Sequence, residues 1–166
     1  DILRLDLLVR NGGLWIDSTV YFTGDNIPEF ISNSELFLFQ NLKPGFNGHT
    51  FKVSSWLIFS KSNNKILSKT RELIFEYWKS NKSLIDYFLV HHFLTLSMDK
   101  YDELANQIPK FPNSIPHILL LQIFEPFNLD DFNYITNLCP FHKLSYKRNK
   151  DQLDLNGTYY KYIVDN

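Results

Sequence analysis

The fold is decided by the first nineteen residues, Asp1-Ile2-Leu3-Arg4-Leu5-Asp6-Leu7-Leu8-Val9-Arg10-Asn11-Gly12-Gly13-Leu14-Trp15-Ile16-Asp17-Ser18-Thr19. Leucines and Val9 recur at helical spacing before Gly12-Gly13 and predict a helix. The glycine pair ends that helix, because glycine adopts a left-handed conformation without a Cβ clash. Leu14-Trp15-Ile16 then predicts a short buried strand with the Asp17 carboxylate at its C-terminal end. Ligands of open α/β sheets bind at that end of the strands, so Asp17 is a candidate site residue.

The predicted helix has two polar faces. Asp6 and Arg10 share one of them at i,i+4 spacing, which is typical of a solvated ion pair. Asp1 and Arg4 lie on the opposite side, between flanks filled by leucines. A helix at a protein surface needs only one face in water, so the second face predicts a polar partner. We therefore expect Asp1 and Arg4 to face the same cleft as Asp17.

The string D-x-x-R-x-x-x-L-x-x-x-G-G-L-W-I-D-S-T resembles the signature of nucleotide-sugar glycosyltransferases with a DXD motif. It is similar above all to the capsular polysaccharide synthesis branch, and more broadly to α-mannosyltransferase-like enzymes and the glucosylating clostridial toxins. The resemblance implies that Asp1 and Arg4 bind the donor's ribose and sugar. It also implies that Asp17 is the first DXD acid and holds a divalent cation, Mn²⁺ or Mg²⁺, on the diphosphate. Thr19 stands where a second acid is expected, so either Thr19 or a water completes the metal shell.

The stretch Asp86-Tyr87-Phe88-Leu89-Val90-His91 is similar to the family's "DYFLFH" stretch. The resemblance implies an active-site, catalytic role for Asp86 near the acceptor or donor sugar, and it puts His91 in the family-like position. Ser83-x-x-Asp86 also resembles a capping box, in which Asp86 would accept from a backbone amide, and the two roles are compatible. We expect His92 to be a satisfied core histidine.

The stretch Pro140-Phe141-His142-Lys143-Leu144-Ser145-Tyr146-Lys147 is similar to "P-I-H-K-L-T-Y-K" in the same family. Imidazole can ligate a metal or bond a phosphate, and an ammonium neutralises a diphosphate leaving group. The resemblance therefore implies donor-binding roles for His142 and Lys143, with His142 also a candidate metal ligand. The alternative is a surface strand with ordinary solvated lysines. In the relatives, small polar residues of a buried strand face the donor, and Ser54 and Ser55 are candidates for that role or unremarkable strand serines.

Composition narrows the function classes. The chain has 166 residues, 44% of them hydrophobic and 16% aromatic, which suffices for one domain with a sizeable core. A net charge of −1 argues against a nucleic-acid partner. The single cysteine, Cys139, excludes an intramolecular disulfide and fits a reducing compartment. With no apolar run of about 18 residues and no signal peptide, we expect no transmembrane segment. The expected location is cytoplasmic, with peripheral association at the inner face of the membrane allowed.

The fold class we expect is α/β: a GT-A-like glycosyltransferase domain with a helical second half. Because the chain starts without Met inside the motif helix, we expect a fragment that lacks the N-terminal strands of its relatives. Residues 1–166 form a single domain fragment in this interpretation, with the motif helix and strands in 1–60, a mainly helical part in 61–138, and a C-terminal strand and tail in 139–166.

The pattern of residues predicts the remaining elements. Helices are predicted over 65–79, 83–98, 101–108, 116–124 and 128–138, and strands over 19–23, 35–39, 53–59 and within 140–147. Pro44-Gly45 and Asn47-Gly48 predict a loop before His49, and residues 148–154 predict a charged loop. The tail to Asn166 predicts either an edge strand or a terminal helix.

The function expected from the resemblance is metal-dependent transfer of a sugar from a nucleotide-sugar donor to an oligosaccharide or polysaccharide acceptor. Its setting would be capsular or other surface polysaccharide biosynthesis. The alternative is a catalytically inactive carbohydrate-binding or scaffolding domain derived from such a transferase.

Overall fold

A computed structural model describes residues 1–43, 50–147, 150–153 and 155–166. The chain is an α/β protein with short strands and more helix than strand. Its elements are α1 Ile2–Asn11, β1 Gly13–Ile16, β2 Val20–Phe22, α2 Glu29–Ser32, β3 Leu36–Gln40, β4 Val53–Ser60, α3 Lys65–Ser80, α4 Leu89–Lys100, α5 Asp102–Ala105, a 3₁₀ turn Ile115–His117, α6 Ile118–Leu121, α7 Leu129–Leu138, β5 Phe141–Lys143, α8 Lys150–Leu153 and α9 Tyr159–Asp165. The loop predicted at Pro44-Gly45 and Asn47-Gly48 lies outside the described residues.

The described residues group into two compact units. The first unit comprises Asp1–Ile16 and Ile27–Asn113, and the second comprises Asp17–Asn26 and Ser114–Asn166. Each unit has its own buried apolar cluster. No helix in the described part of the chain is long and apolar enough to cross a membrane.

The first unit is built on a three-stranded antiparallel sheet in the order β1-β4-β3. The central strand β4 is buried at all but one of its positions, as its continuous apolar sequence predicts. Helix α1 packs Leu5, Leu8 and Val9 into the core, at the i, i+3, i+4 spacing of one helical face. The carboxamide oxygen of Asn64 accepts from the amides of Ile66 and Leu67 and so caps α3.

Gly12 fixes the junction between α1 and β1. Its φ of 69° lies in the region that only glycine adopts readily. A Cβ at this position would lie 2.7 Å from the Ser62 amide nitrogen and 2.8 Å from the Ser60 carbonyl oxygen. Because both neighbours are backbone atoms, only a residue without a side chain lets α1 turn directly into β1.

Because the sheet is antiparallel, the prediction that Asp17 lies at a ligand-binding end of the strands loses its basis. Ligand binding at strand C-termini is a rule of open parallel sheets, whereas every pairing between named strands in the described residues is antiparallel. Asp17 is positioned instead by the turn after β1, in which the Val20 amide donates to the Asp17 carbonyl at 3.1 Å.

Helix α4 begins at Leu89, so the predicted start at residue 83 is wrong. The predicted capping box with Ser83 does not form either. The Asp86 carboxylate accepts from the Phe88 amide at 2.6 Å, in a turn that precedes the helix. This local hydrogen bond competes with helix formation, which is the usual effect of aspartate close to its own backbone.

The second unit joins a two-stranded antiparallel sheet to short helices. β2 pairs with β5 in the register Val20↔Lys143, Tyr21↔His142 and Phe22↔Phe141. The predicted charged loop is wrong at residues 150–153, which form a helical turn. Of the two alternatives for the tail, the structure has the terminal helix, α9. The core of this unit contains Leu119, Ile123, Phe132, Ile135 and Tyr159.

Candidate functional site

Arg4 is the centre of a polar cluster in the first unit. Its guanidinium donates to the Ser55 carbonyl and, at 3.0 Å, to the Ser55 hydroxyl. It also pairs with the Asp1 carboxylate at 3.2 Å and lies over the Trp15 ring, 5.3 Å from its centroid. The Arg4 side chain is only 14% exposed. Three of the residues predicted to bind the donor, Asp1, Arg4 and Ser55, are therefore in direct contact.

The hydrogen-bonding groups of this Arg4 cluster are chemically suited to a hydroxylated or anionic ligand. Arginine donates from a planar fork, and here several contacts fix the plane of that fork. The Asp1 carboxylate is more exposed than its partner and retains oxygen surface that can accept from hydroxyl groups. The arrangement can orient a sugar without first reorganising its own side chains.

Ser54, the other predicted donor-binding serine, has a different environment. Its hydroxyl donates to the Phe39 carbonyl of β3 at 3.2 Å, and the side chain is buried. Successive strand residues point to opposite faces, which separates Ser54 from the face on which Ser55 meets Arg4. The structure thus gives Ser54 a role in the sheet, and its donor-binding role stays a prediction.

A second polar cluster lies within the second unit, where the β2–β5 pairing brings distant residues together. The Lys143 ammonium is 3.7 Å from the Asp17 carboxylate and donates to the Thr19 hydroxyl. Thr19 and Lys143 are 124 residues apart in sequence. The Leu144 amide donates to the Thr19 carbonyl at 2.9 Å and continues the pairing beyond the strand. Within the second unit, the last residues of the motif therefore meet the stretch after Pro140.

His142 lies in the same strand but faces the interior of the second unit. Its Nε2 is 3.2 Å from the Thr23 hydroxyl, and its ring packs near Tyr21. Burial lowers the pKa of His142 to about 4, because the charged imidazolium is poorly solvated there. The ring is thus neutral at physiological pH. Among the described residues its buried Nδ1 has no hydrogen-bond partner, and the predicted metal and phosphate roles stay predictions.

The second cluster fits a divalent cation only in part. The described residues contain no group of three or more His, Cys, Asp or Glu side chains that could hold a metal ion. Mg²⁺ commonly binds through one or two carboxylates, with substrate phosphates and waters completing the shell. Asp17 supplies one carboxylate and Thr19 one hydroxyl, so a cation shared with a diphosphate is compatible with these residues. The Lys143 ammonium would then have to turn from Asp17 towards the phosphates.

Asp86 forms a third group, in the first unit. One carboxylate oxygen is used by the Phe88 amide, and the other lies 3.7 Å from Nε2 of His92. The expectation that His92 is a core histidine is wrong, since its side chain is 33% exposed and faces Asp86. His91 packs instead against the rings of Phe51 and Phe88.

Sequence reasoning missed three residues in these groups. The sequence predicts only a strand position for Trp15, although an aromatic ring near a candidate site arginine is a common cation–π partner. Thr23, which meets His142, carries no local signal, because only strand pairing brings the two together. His92 carries no signal in the sequence either, because a helix from residue 83 would put it on a different face from Asp86; the two approach each other because α4 starts at Leu89.

The fold defines an α/β protein in which each unit holds a polar cluster of its own, one around Arg4 and one around Lys143. A comparison with protein families goes further: the family described as "Capsular polysaccharide synthesis protein" matches residues 1–163. The chain belongs to this family, which connects it with the synthesis of capsular polysaccharide. No curated protein matches the chain.

Proposed function

We propose that this protein is a glycosyltransferase of GT-A type that moves a sugar from a nucleotide-sugar donor to a saccharide acceptor during capsular polysaccharide synthesis. The observation that supports this most is the meeting of Asp17 and Thr19 with Lys143. An acid, a hydroxyl and an ammonium in one cluster suit a diphosphate and its counter-cation. Family membership over nearly the whole chain supports the biosynthetic setting.

The donor's sugar is assigned to Asp1 and Arg4. The guanidinium is fixed by Ser55 and Trp15, so it can hold a donor hydroxyl or phosphate oxygen at low entropic cost. The exposed part of the Asp1 carboxylate accepts from sugar hydroxyls. Together these contacts orient the anomeric carbon for attack, which is the main contribution a protein makes to such a reaction.

The diphosphate is assigned to Lys143, with Asp17 and Thr19 as protein ligands of Mn²⁺ or Mg²⁺. When bound, the cation supplies Lewis-acid stabilisation of the departing phosphate oxygen. The bond from the anomeric carbon to that oxygen breaks, and a bond to the acceptor oxygen forms. Lys143 stabilises the negative charge that develops on the nucleoside diphosphate.

The acceptor proton is assigned to Asp86. Its second carboxylate oxygen is not used by the Phe88 amide and is accessible to solvent, so it can accept the proton of an acceptor hydroxyl. Donor and acceptor are the partners we propose, with no nucleic acid. The proposed location is the cytoplasm, with peripheral association at the inner face of the membrane allowed.

The decisive experiment is a donor screen on the full-length protein, with UDP-, GDP- and ADP-sugars and release of the nucleotide followed with and without Mn²⁺. We expect Mn²⁺-dependent release with one donor class. Asp17→Asn should reduce it by at least about a hundredfold at unchanged melting temperature, because a charged oxygen ligand of a hard cation is lost.

The matched control is Asp130→Asn, an exposed acid in the first turn of α7 that should keep the parent rate. Nucleotide release from Asp17→Asn near the parent rate would show that Asp17 is not the metal acid. A protein that binds saccharide but releases no nucleotide from any donor would support the binding-domain alternative instead.

A further inference from the structure

The loop between α3 and α4, residues 81–88, exposes large apolar side chains. Leu84, Ile85 and Tyr87 are 51%, 79% and 78% exposed. Single exposed apolar residues are normal, but three within four positions form a patch that marks a contact surface. Asp86 belongs to this α3–α4 loop and lies between Ile85 and Tyr87.

The α3–α4 loop is held in place by hydrogen bonds along its length and by ring packing of Phe88 at its far end. The Tyr77 hydroxyl donates to the Ser83 carbonyl at 2.6 Å and accepts from the Ile85 amide at 3.0 Å. The Asp86 carboxylate fixes the far end through the Phe88 amide. A loop anchored at both ends keeps its apolar side chains in solvent, ready for a ligand that needs no large rearrangement.

The spacing of Asp86 and His92 suits a hydroxyl group. The 3.7 Å between the Asp86 carboxylate oxygen and His92 Nε2 is too long for a direct hydrogen bond. For a hydroxyl oxygen about 2.8 Å from both atoms, the angle at that oxygen between the carboxylate oxygen and the imidazole nitrogen would be roughly 80°. It could donate to the carboxylate and accept from the imidazole N–H, which is the double role that alcohols fill.

We propose that the α3–α4 loop, with Asp86 and His92, is the subsite for the saccharide acceptor. The Tyr87 ring offers a flat surface for the C–H face of a pyranose, Leu84 and Ile85 extend that surface, and the polar pair binds a hydroxyl at its edge. This inference rests on the proposed function, since it names the place where the acceptor of that reaction binds. It assigns His92 to acceptor binding and Tyr87 to sugar stacking.

A lipid surface is the other occupant that an exposed apolar loop suggests, and the charges here disfavour it. Insertion of Ile85 and Tyr87 into a bilayer would carry the Asp86 carboxylate with them, and a carboxylate in an apolar medium is costly. The loop has no surplus of positive charge for anionic lipids, because its own Lys82 is offset by Asp86 and the nearby Lys79 is paired with Glu76 at 2.5 Å.

The test measures saccharide binding without any donor. Saturation-transfer NMR on the full-length protein would use methyl pyranosides of glucose, galactose, mannose and N-acetylglucosamine as probes. We expect at least one probe to bind through its ring C–H protons. Tyr87→Ala should weaken that binding roughly five- to tenfold, because the stacking surface is removed. His92→Ala should weaken it as well and change the acceptor KM of sugar transfer more than kcat.

The control is Tyr134→Ala, which removes another exposed tyrosine, on α7, and should bind the probes like the parent protein. Equal binding by Tyr87→Ala and the parent, or no binding of any probe, would overturn the subsite. A second result would also overturn the subsite: the parent protein cosediments with vesicles of equimolar phosphatidylcholine and phosphatidylglycerol, and Ile85→Ser abolishes this binding. A membrane would then be the occupant.

The outcome is separable from that of the proposed function. A protein that releases nucleotide from a donor but shows no Tyr87-dependent sugar binding would overturn the subsite alone. A protein that binds the methyl pyranosides through Tyr87 but turns over no donor would overturn the proposed transfer and keep a saccharide site on this loop.

Discussion

At the scale of single residues, Arg4 shows how one side chain organises a site. Its guanidinium meets a carboxylate, a backbone carbonyl, a hydroxyl and an aromatic face, from Asp1, Ser55 and Trp15. A lysine could not fill this position, because an ammonium lacks both the fork and the plane that stacks on a ring. The sequence pointed to Arg4 by its position on a second polar helix face, and the structure supplies the polar partner expected there.

Gly12 offers a sharp test at the same scale. Gly12→Ala should lower the free energy of unfolding by roughly 3 kcal/mol or more, since the new Cβ would meet backbone at 2.7 Å and 2.8 Å and φ is positive. Urea unfolding followed by circular dichroism measures this. Gly157→Ala is the matched control: its φ is 71° but no neighbouring atom of the described residues lies within 4 Å of the added Cβ, so it should cost only about 1–2 kcal/mol. Equal losses in the two variants would mean that the close approach at Gly12 is absent.

At the scale of elements, the three-residue strand β5 does more than its length suggests. Its pairing with β2 brings Lys143 into contact with Asp17 and Thr19. The same pairing buries His142 in the core of the second unit. Adjacent strand residues point to opposite faces, so one short strand provides both a surface cation and a buried imidazole. The register decides which of the two side chains is buried and which reaches the polar cluster.

Lys143→Ala tests that arrangement. We expect roughly tenfold weaker binding of UDP, GDP or ADP at low salt, with little effect on free-sugar binding, because an ammonium–phosphate contact is largely Coulombic. The difference should shrink as salt is added, since the Debye length falls to about 8 Å at physiological ionic strength. Calorimetric titration at two salt concentrations measures both effects. Lys161→Ala, on α9 of the same unit, is the control and should bind like the parent; a parallel loss in both variants would exclude a specific phosphate contact.

At the scale of the whole molecule, the chain carries little net charge and divides into two compact units. Each unit holds its own polar groups next to its own apolar core. Cys139, the single cysteine, is buried in the second unit and therefore reports on the integrity of that unit.

Burial raises the pKa of the Cys139 thiol to about 11. Since the thiolate is the reactive form, the folded protein at pH 8 should react with Ellman's reagent at least about a hundredfold more slowly than the urea-unfolded chain. The raised pKa also predicts that the stability contributed by the neutral thiol is present below its unfolded pKa and is lost as pH rises towards about 11. The absorbance of the aromatic thiolate released from Ellman's reagent measures the reaction rate, and the Cys139→Ala variant gives the background rate. Comparable rates for folded and unfolded protein would show that the thiol is not buried.

The sequence by itself determined the elements whose signals are local. The helix ended by Gly12, the presence of a strand after it, the Asn64 cap of α3 and the buried run of β4 all follow from periodicity, capping chemistry or unbroken apolar residues. The predicted burial of the strand after Gly12 is wrong, since none of its residues is buried and Ile16 is 39% exposed. It also identified Asp1 and Arg4 as a pair, because their spacing puts them on one face of a helix. Such features depend on residues within one or two turns, which a reader of the sequence can see together.

Only the tertiary structure decided the rest. The late start of α4 depends on the Tyr77 hydroxyl of the preceding helix and on the turn at Asp86, so a hydrophobic run from residue 83 became a loop. The pairing of β2 with β5, the meeting of Lys143 with Asp17, and the burial of His142 depend on residues more than a hundred positions apart. No local pattern encodes such contacts, because their free energy comes from burying both partners at once.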